Sequence, residues 1–434
     1  MGEKGMEVKR NRWLIALAAV GIHISIGSVY AWSVFTGPLQ ESIGWSLSDV
    51  SFTFSLAILF SGLSAAFMGH FVERYGPRAS GLVATLFFAI GMGVGGYAVQ
   101  VESLWLLYIS YGVFGGIGLG IGYITPVSTL IKWFPDKRGM ATGLAIMGFG
   151  FAAMIASPAM EFLMDAFSIP ATFFILGAIY LVVMLASSLY LQRPPEDYVP
   201  EGMKNEDDSP KEVKRDYVQL TANEAIKTRR FYFLWLMLFI NITCGIAILA
   251  VASPMAQEIT GVTVAAAALI VGVMGVFNGA GRLLWASISD YIGRPNVYTI
   301  FFVIQIAVFA ILPVVTNEYL FAILLFLIIS CYGGGFAAIP AYIGDIFGTR
   351  QLGAIHGYIL TAWAAAGLVG PLIVAEIYEA TASYTLTLYI FAAMFVVALI
   401  LSLLIRADIR KIRESAGETA VRSQTVQDKP QTAE

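Results

Sequence analysis

The chain has 434 residues, of which 58% are hydrophobic and only 13% are charged. Soluble proteins carry about 45–50% apolar and about 25% charged residues, so this chain could not cover its own surface in water. The composition excludes a cytosolic enzyme, a disordered chain and a disulfide-rich secreted domain. The net charge is −3, and the chain contains no block of like charges suited to binding nucleic acid. The remaining class is a multi-span membrane protein.

The apolar stretches predict an all-α polytopic membrane protein with twelve transmembrane helices. A helix needs about 20 apolar residues to cross a bilayer, and its backbone must be hydrogen-bonded internally. The predicted spans are 13–34, 50–69, 79–99, 104–131, 140–160, 170–191, 231–252, 263–287, 297–315, 319–344, 351–375 and 384–405.

The basic residues predict the orientation of these spans. All but one of the 26 Lys and Arg residues lie near the chain termini or in every second connection, and the exception is Arg282 in the eighth span. Because positive charge is enriched on the cytoplasmic side, we expect both termini in the cytoplasm. The protein is expected in the plasma or inner membrane of the cell.

One long polar segment divides the chain into two parts. It contains four prolines and a run of mixed charges, which is typical of a flexible linker. The predicted units are an N-terminal six-helix bundle (1–191), a cytoplasmic linker loop (192–230), a C-terminal six-helix bundle (231–410) and a cytoplasmic tail (411–434).

The two halves contain matching sequence features. Glu73 stands three residues before a glycine after the second span, and Asp290 does the same after the eighth, 217 positions later. Pro126 and Pro340 match at an offset of 214, as do Gly139 and Gly353. Two repeats around a central site are typical of secondary transporters.

These paired loops resemble the signature loop of the major facilitator superfamily, with Glu73 in place of the usual Asp. The resemblance covers essentially the whole chain and implies two pseudo-symmetric six-helix bundles. It implies a conformational role for Glu73, Arg74, Asp290 and Arg294. In one state, each acid is expected to cap the N-terminus of a neighbouring helix and, in the other, to release it.

Arg282 is the strongest candidate for a binding residue. An arginine at the centre of a span costs about 2.5–3.5 kcal/mol to insert, and such residues usually face a cavity. No Asp or Glu lies in any predicted span to neutralise it. A free guanidinium favours an anionic ligand, and its planar fork fits a carboxylate. Asn278, four residues earlier, would orient it or contact the substrate. The alternatives are a structural arginine at a helix break and an asparagine that joins two helices.

Two histidines are candidates for proton coupling. His23 lies in the first span and His356 in the eleventh, and histidine titrates near neutral pH. Since no carboxylate lies within the spans, a coupled proton would need one of these histidines or the substrate itself. The alternative is that each is a hydrogen-bonded helix residue.

Five motifs narrow the resemblance to the oxalate/formate antiporter family. They are 27–35 (GSVYAWSVF), 133–139 (WFPDKRG), 278–282 (NGAGR), 289–294 (SDYIGR) and 345–349 (DIFGT). The resemblance implies that Arg282 binds the substrate carboxylate. It places the family's pocket aromatics at Tyr30, Tyr123, Tyr332 and Phe336. The oxalate transporter of this family has a lysine in its eleventh span, where this chain has Trp363.

The missing lysine favours a monocarboxylate substrate. One cation neutralises one carboxylate, whereas a dianion would bury an unpaired charge at a cost of several kcal/mol. We therefore expect transport of lactate, pyruvate, acetate or formate, with oxalate as the second candidate. Proton symport is favoured over anion exchange, because a proton entering with the anion balances its charge.

Other functions have less support in the sequence. No catalytic constellation lies within the spans, so we do not expect an enzyme, and no cofactor or metal is expected. A transporter-like anion sensor remains an alternative. The expected partners are a small monocarboxylate anion, a proton or counter-anion, and the lipid bilayer. We expect the chain to act as a monomer.

Overall fold

The computed structural model describes residues 10–195, 198–200, 203 and 218–427. Residues 196–197, 201–202 and 204–217 of the predicted linker, the N-terminal Lys4 and Lys9, and the last seven residues of the predicted tail lie outside these ranges.

Within the described residues, the fold is built from helices that follow the predicted spans in order. Helix α1 comprises Arg12–Gly27, a 3-10 turn Ser28–Ala31 and Ser33–Ile43; α2 and α3 are the two parts of Leu47–Gln100; α4 comprises Leu104–Leu107, a π-helical Tyr108–Gly115 and Gly116–Trp133; α5 is Arg138–Ala166; α6 is Ile169–Tyr190; α7 is Arg229–Thr260; α8 is Val264–Ile292; α9 is Arg294–Ile311; α10 is Glu318–Phe347; α11 comprises Leu352–Ile359 and Thr361–Thr381; α12 is Thr385–Gln427.

The prediction of twelve spans is confirmed once the break between α2 and α3 is counted. Eleven described helices are long and apolar enough to cross a membrane, and one of them is the 49-residue stretch Phe52–Gln100. Gly76 interrupts that stretch with φ +82° and ψ 174°. A side chain rarely adopts this backbone conformation, so the glycine allows α2 and α3 to be separate spans joined by a tight turn.

Two helices continue beyond the predicted spans, and part of the predicted linker is helical. Helix α1 continues to Ile43 instead of ending near residue 34. It continues because Phe35 and Leu39 are buried in the core, which outweighs the falling hydropathy of this stretch. Helix α12 continues to Gln427, well beyond residue 405. The end of the predicted flexible linker forms a short helix, Ala222–Ala225, anchored where the Leu220 N–H donates to the carbonyl of Phe347.

The two six-helix halves meet mainly where α5 packs on α8 and where α2 packs on α11. Small residues allow this close approach. A Cβ atom at Gly143 of α5 would lie 2.7 Å from the carbonyl oxygen of Arg282, and one at Gly62 of α2 would lie 2.5 Å from Cβ of Ala364. Both distances are too short for an added side chain, so the backbones touch here, as is common between helices in membranes.

Candidate functional site

The central site is formed around Arg282, which is fully buried on α8. Its Nε donates to Oδ1 of Asn278 at 3.1 Å, as expected for residues one turn apart. The terminal nitrogens Nη1 and Nη2 are buried and have no hydrogen-bond partner among the described residues. The guanidinium carbon lies 5.1 Å from the ring centre of Phe336 and 5.7 Å from that of Phe149. Asn278 therefore orients the cation and leaves its two outer nitrogens free.

Further polar groups converge on the same space. The hydroxyl of Tyr30 lies within electrostatic reach of Tyr332, Arg282 and Trp363, and the hydroxyl of Tyr123 within reach of Arg282. Within the described part of the chain, these three hydroxyls and the indole N–H of Trp363 are buried without a hydrogen-bond partner. Guanidinium and indole groups only donate, and a phenol readily does so. Because unmet buried donors are costly, the arrangement suits a ligand rich in acceptor oxygens.

Aromatic rings form the walls of the site. Trp363 contacts Tyr123, Phe149 and Phe336, with ring centres 5.5, 5.9 and 5.4 Å apart. Tyr332 contacts Phe336 at 5.4 Å. Each predicted aromatic residue therefore lies at the site, and both halves contribute to it.

Phe149 of α5 is a site residue that the sequence reasoning missed. Its ring centre lies 5.0 Å from that of Tyr30 and 5.5 Å from that of Tyr123. A signal was present in the repeat, since Trp363 lies 214 positions after Phe149. The two residues are therefore equivalents in the two halves, and they meet edge to face between them.

Irregular backbone positions these side chains. Tyr30 lies in the 3-10 turn that interrupts α1, and Trp363 follows the interruption of α11 at Leu360. Departures from α-helical geometry inside a helix often mark functional positions. Gly245 of α7 makes room for Tyr332, because a Cβ there would lie 2.7 Å from Cγ of that ring.

Two glycines mark the end of the bundle toward which α1 and α8 extend from the site. Gly275 lies seven residues before Arg282 on α8, so it shares the face of that residue. Gly37 lies seven residues after Tyr30 on α1, beyond the 3-10 turn. A Cβ at either position would meet no atom within 4 Å. Both glycines lie toward the same end of the bundle, which we call the glycine end.

The opposite end, which carries Lys132, Arg138 and Arg294 and which we call the basic end, is closed by contacts between the halves. Asp290 of α8 accepts hydrogen bonds from the N–H groups of Gly139 and Met140, each at 2.8 Å. These groups begin α5 of the other half, so the carboxylate caps that helix and interacts favourably with its dipole. Arg294 pairs with Asp290 at 2.7 Å.

Glu73 makes the reciprocal contact from the N-terminal half. Its Oε1 accepts from the N–H of Gly353 at the start of α11 at 2.7 Å, and its Oε2 pairs with Lys132 at 2.8 Å. Arg74 is exposed and its guanidinium lies over the Tyr75 ring, 5.4 Å from the centre. Three of the four predicted loop residues thus hold the basic end, while Lys132 rather than Arg74 accompanies Glu73.

The two histidines lie on either side of Tyr123 and have different environments. His23 stacks on the Tyr123 ring at 5.1 Å, and its Nε2 lies 3.1 Å from the Tyr123 carbonyl oxygen. His356 is 6.0 Å from the same ring. It is fully buried, and neither of its ring nitrogens has a hydrogen-bond partner among the described residues.

Two helical halves that enclose a buried candidate site and meet at one end match the architecture of a secondary transporter. The chain belongs to the Major Facilitator Superfamily, whose family model matches residues 15–251 and 234–429. The predicted fold class is thereby confirmed.

Relatives within the superfamily include carriers of carboxylates. The chain is 27% identical to the oxalate:formate antiporter of Oxalobacter formigenes, over 83% of each protein. It is 25% identical to monocarboxylate transporter 2 of Homo sapiens, over 96% of this chain and 90% of that protein. An uncharacterized MFS-type transporter of Escherichia coli, YhjX, is 28% identical over 81% of this chain and 84% of its own length.

Solved structures agree on the fold. The transporter FucP in its outward conformation superposes with a TM-score of 0.70 at 15% identity, covering 90% of this chain and 98% of that one. The protein is therefore a multi-pass membrane transporter of this superfamily, and the expected resemblance to oxalate/formate antiporters is confirmed at modest identity.

Proposed function

We propose that the protein carries small monocarboxylates such as lactate, pyruvate, acetate or formate across the cell membrane by alternating access. The observation that carries this proposal is the Arg282 guanidinium, whose two terminal nitrogens are buried and unpaired among the described residues. A carboxylate has the charge and the two oxygens to bind both nitrogens in parallel. The two named carboxylate carriers among the relatives support the same substrate class.

The number of charges in the site favours one carboxylate over two. Arg282 forms no ion pair in the described structure, and the side chains around it are neutral aromatics. A bound monoanion would cancel the charge of Arg282. A dianion would hold one negative charge without a partner in a low-dielectric space, at a cost of several kcal/mol. The wall formed by Trp363 and Phe149 suits a methyl or short alkyl group instead.

Proton symport is the coupling that we propose, with the basic end facing the cytoplasm. The described state would then be closed to the cytoplasm, and substrate would enter from the glycine end. Opening the basic end would require Asp290 to release the N–H of Gly139 and Glu73 to release the N–H of Gly353. An oxalate/formate-type exchanger is the second candidate, supported by the antiporter among the relatives.

Uptake of labelled lactate into proteoliposomes tests the substrate and the coupling together. With an inward proton gradient and no internal anion, the symporter should accumulate lactate. An exchanger should take up label only after preloading with formate, acetate or oxalate. The absence of saturable uptake of any of these acids under both conditions would contradict the proposed function.

A matched pair of arginine variants tests the site. Arg282→Gln should abolish saturable uptake, because truncating a buried charge pair typically costs about 2–5 kcal/mol. Arg229→Gln is the control, since Arg229 is 72% exposed and pairs with Asp408 at the protein surface. Both variants should elute as folded monodisperse protein. Saturable uptake by folded Arg282→Gln with an unchanged KM would overturn the role of Arg282.

A further inference from the structure

We infer that His356 binds the coupling proton, whereas His23 is structural; this inference rests on the proposed proton-coupled transport. The two histidines differ in their hydrogen bonds. His23 has a backbone partner for Nε2 in the carbonyl of Tyr123, 3.1 Å away, and its ring stacks on that tyrosine, so that only its Nδ1 lacks a partner among the described residues. His356 is equally buried, yet both its ring nitrogens lack a partner among the described residues.

A neutral imidazole carries one donor and one acceptor. Burying both without partners is unfavourable, so no hydrogen bond in the described structure explains a polar ring at this position. Phenylalanine would fill similar space without unmet groups. His23 is held by one hydrogen bond to the backbone, whereas neither ring nitrogen of His356 has a described partner, so we assign His356 as the site that receives a proton during the transport cycle.

The position of His356 links the pocket to the closed end. Along α11, Gly353 bonds to Glu73 at the basic end, His356 follows one turn later, and Trp363 lies seven residues further at the pocket. Release of the Gly353 contact would expose the neighbouring turn, and with it His356, to the basic side. The proton and the anion would then leave toward the same side.

The charged side chains on the helices that surround His356 form their contacts at the basic end. Tyr123 of α4, at 6.0 Å, and His23 of α1 are the ionisable side chains that face His356. Glu73 and Lys132 pair with each other, Arg230 of α7 lies over the Phe347 ring, and Asp345 of α10 pairs with Arg138 and Arg294. His356 forms no ion pair in the described residues, so its protonation would depend on the contents of the pocket.

Binding of the anion would make protonation of His356 favourable. The charge of Arg282 reaches His23, and His23 faces His356, so in the empty protein a second positive charge in this part of the bundle is opposed. A bound carboxylate cancels the charge of Arg282 and allows one ring nitrogen to accept a proton. The loaded site then holds Arg282, one anion and one imidazolium, with the same net charge as the empty site. One proton and one monocarboxylate cross together, and the cycle carries no net charge.

Two assays in proteoliposomes separate proton coupling from substrate movement. The first measures exchange of external labelled lactate for internal lactate at equal pH, which requires no net proton transfer. The second measures net lactate accumulation driven by an inward proton gradient. His356→Gln should retain exchange within about threefold and lose accumulation, so that internal lactate only equals external lactate. His23→Gln should change both assays in proportion. His70→Gln, at an exposed position, is the control and should behave like the unaltered protein in both assays.

The outcomes identify which proposal fails. Gradient-driven accumulation by His356→Gln, or loss of exchange together with accumulation in folded protein, would overturn the role of His356. An unaltered protein that exchanges lactate but does not accumulate it would overturn this inference and leave the monocarboxylate proposal standing. An unaltered protein that does neither would contradict the proposed function itself.

Discussion

Replacing Trp363 by lysine should convert the proposed monocarboxylate site into one that accepts dicarboxylates. Trp363 is 1% exposed and packs against Tyr123, Phe149 and Phe336. Phe336 also contacts the Arg282 guanidinium. Phe336 would therefore lie between the Arg282 guanidinium and a lysine ammonium that replaces the indole. This ammonium would supply the second cation that a dianion needs.

The size of the effect follows from the charges. Two opposite unit charges about 4 Å apart attract by about 4 kcal/mol at an effective dielectric constant near 20, and desolvation offsets part of this. A charge-assisted hydrogen bond retains about 1.5–3 kcal/mol, or roughly 10- to 150-fold in affinity. Loss of apolar contact with a methyl group costs about 0.8 kcal/mol, or roughly fourfold. The preference for oxalate over lactate should rise by about two orders of magnitude.

Competition against labelled lactate exchange measures this preference. Unlabelled oxalate should become a strong competitor in Trp363→Lys and stay a weak one in Trp363→Met, the neutral control of similar length. If oxalate competes equally well with both variants, pocket size rather than charge sets the selectivity. If oxalate already competes strongly with the unaltered protein, the argument from a single cation is refuted.

Three further substitutions probe the site, its support and the basic end. Tyr332→Phe should raise the KM for lactate roughly tenfold, because a hydrogen bond to a charged group is worth about 1.5 kcal/mol; an unchanged KM would place its hydroxyl outside the site. Asn241→Leu removes the hydrogen bond that Asn241 donates to the Tyr332 carbonyl; in the unaltered protein Gln305 donates to the Asn241 side chain at 2.9 Å. The effect of Asn241→Leu on KM should combine non-additively with that of Tyr332→Phe, and simple additivity would refute this coupling. Asp290→Asn should weaken the cap on α5 by about 1 kcal/mol and raise maleimide labelling of a Ser289→Cys reporter, whereas equal labelling would show that the cap does not hold the end closed.

The sequence allowed the fold and the polar part of the site to be predicted. Twelve spans followed from hydropathy, and Arg282 was conspicuous because no other charged residue lies in a predicted span. Its pairing with Asn278 followed from helical spacing. Phe149 was missed because it is one of 29 phenylalanines and carries no polar group that would distinguish it. Only the repeat offset, applied to Trp363, would have identified it.

Contacts that depend on how helices pack could not be predicted from the sequence. Lys132, which the sequence did not single out, pairs with Glu73 from α4. The register between α2 and α4 determines this pairing, and no local pattern encodes that register. The difference between His23 and His356 also depends on tertiary contacts, since both residues lie seven positions before a pocket aromatic.

Two helices connect the pocket to the basic end, and this suggests how substrate and closure influence each other. Helix α8 carries Arg282 and, eight residues or about 12 Å later, Asp290, which caps α5 of the other half. Helix α11 carries Trp363 and Gly353, which Glu73 holds. A rigid shift of either helix therefore changes the pocket and one cap together. Because a ligand shifts a conformational equilibrium only by its difference in affinity between the states, the proposed carboxylate would have to bind Arg282 differently once the caps open. The contact of Phe149 with Arg282 crosses between the halves, so a relative movement of the halves would change the surroundings of the guanidinium and provide such a difference.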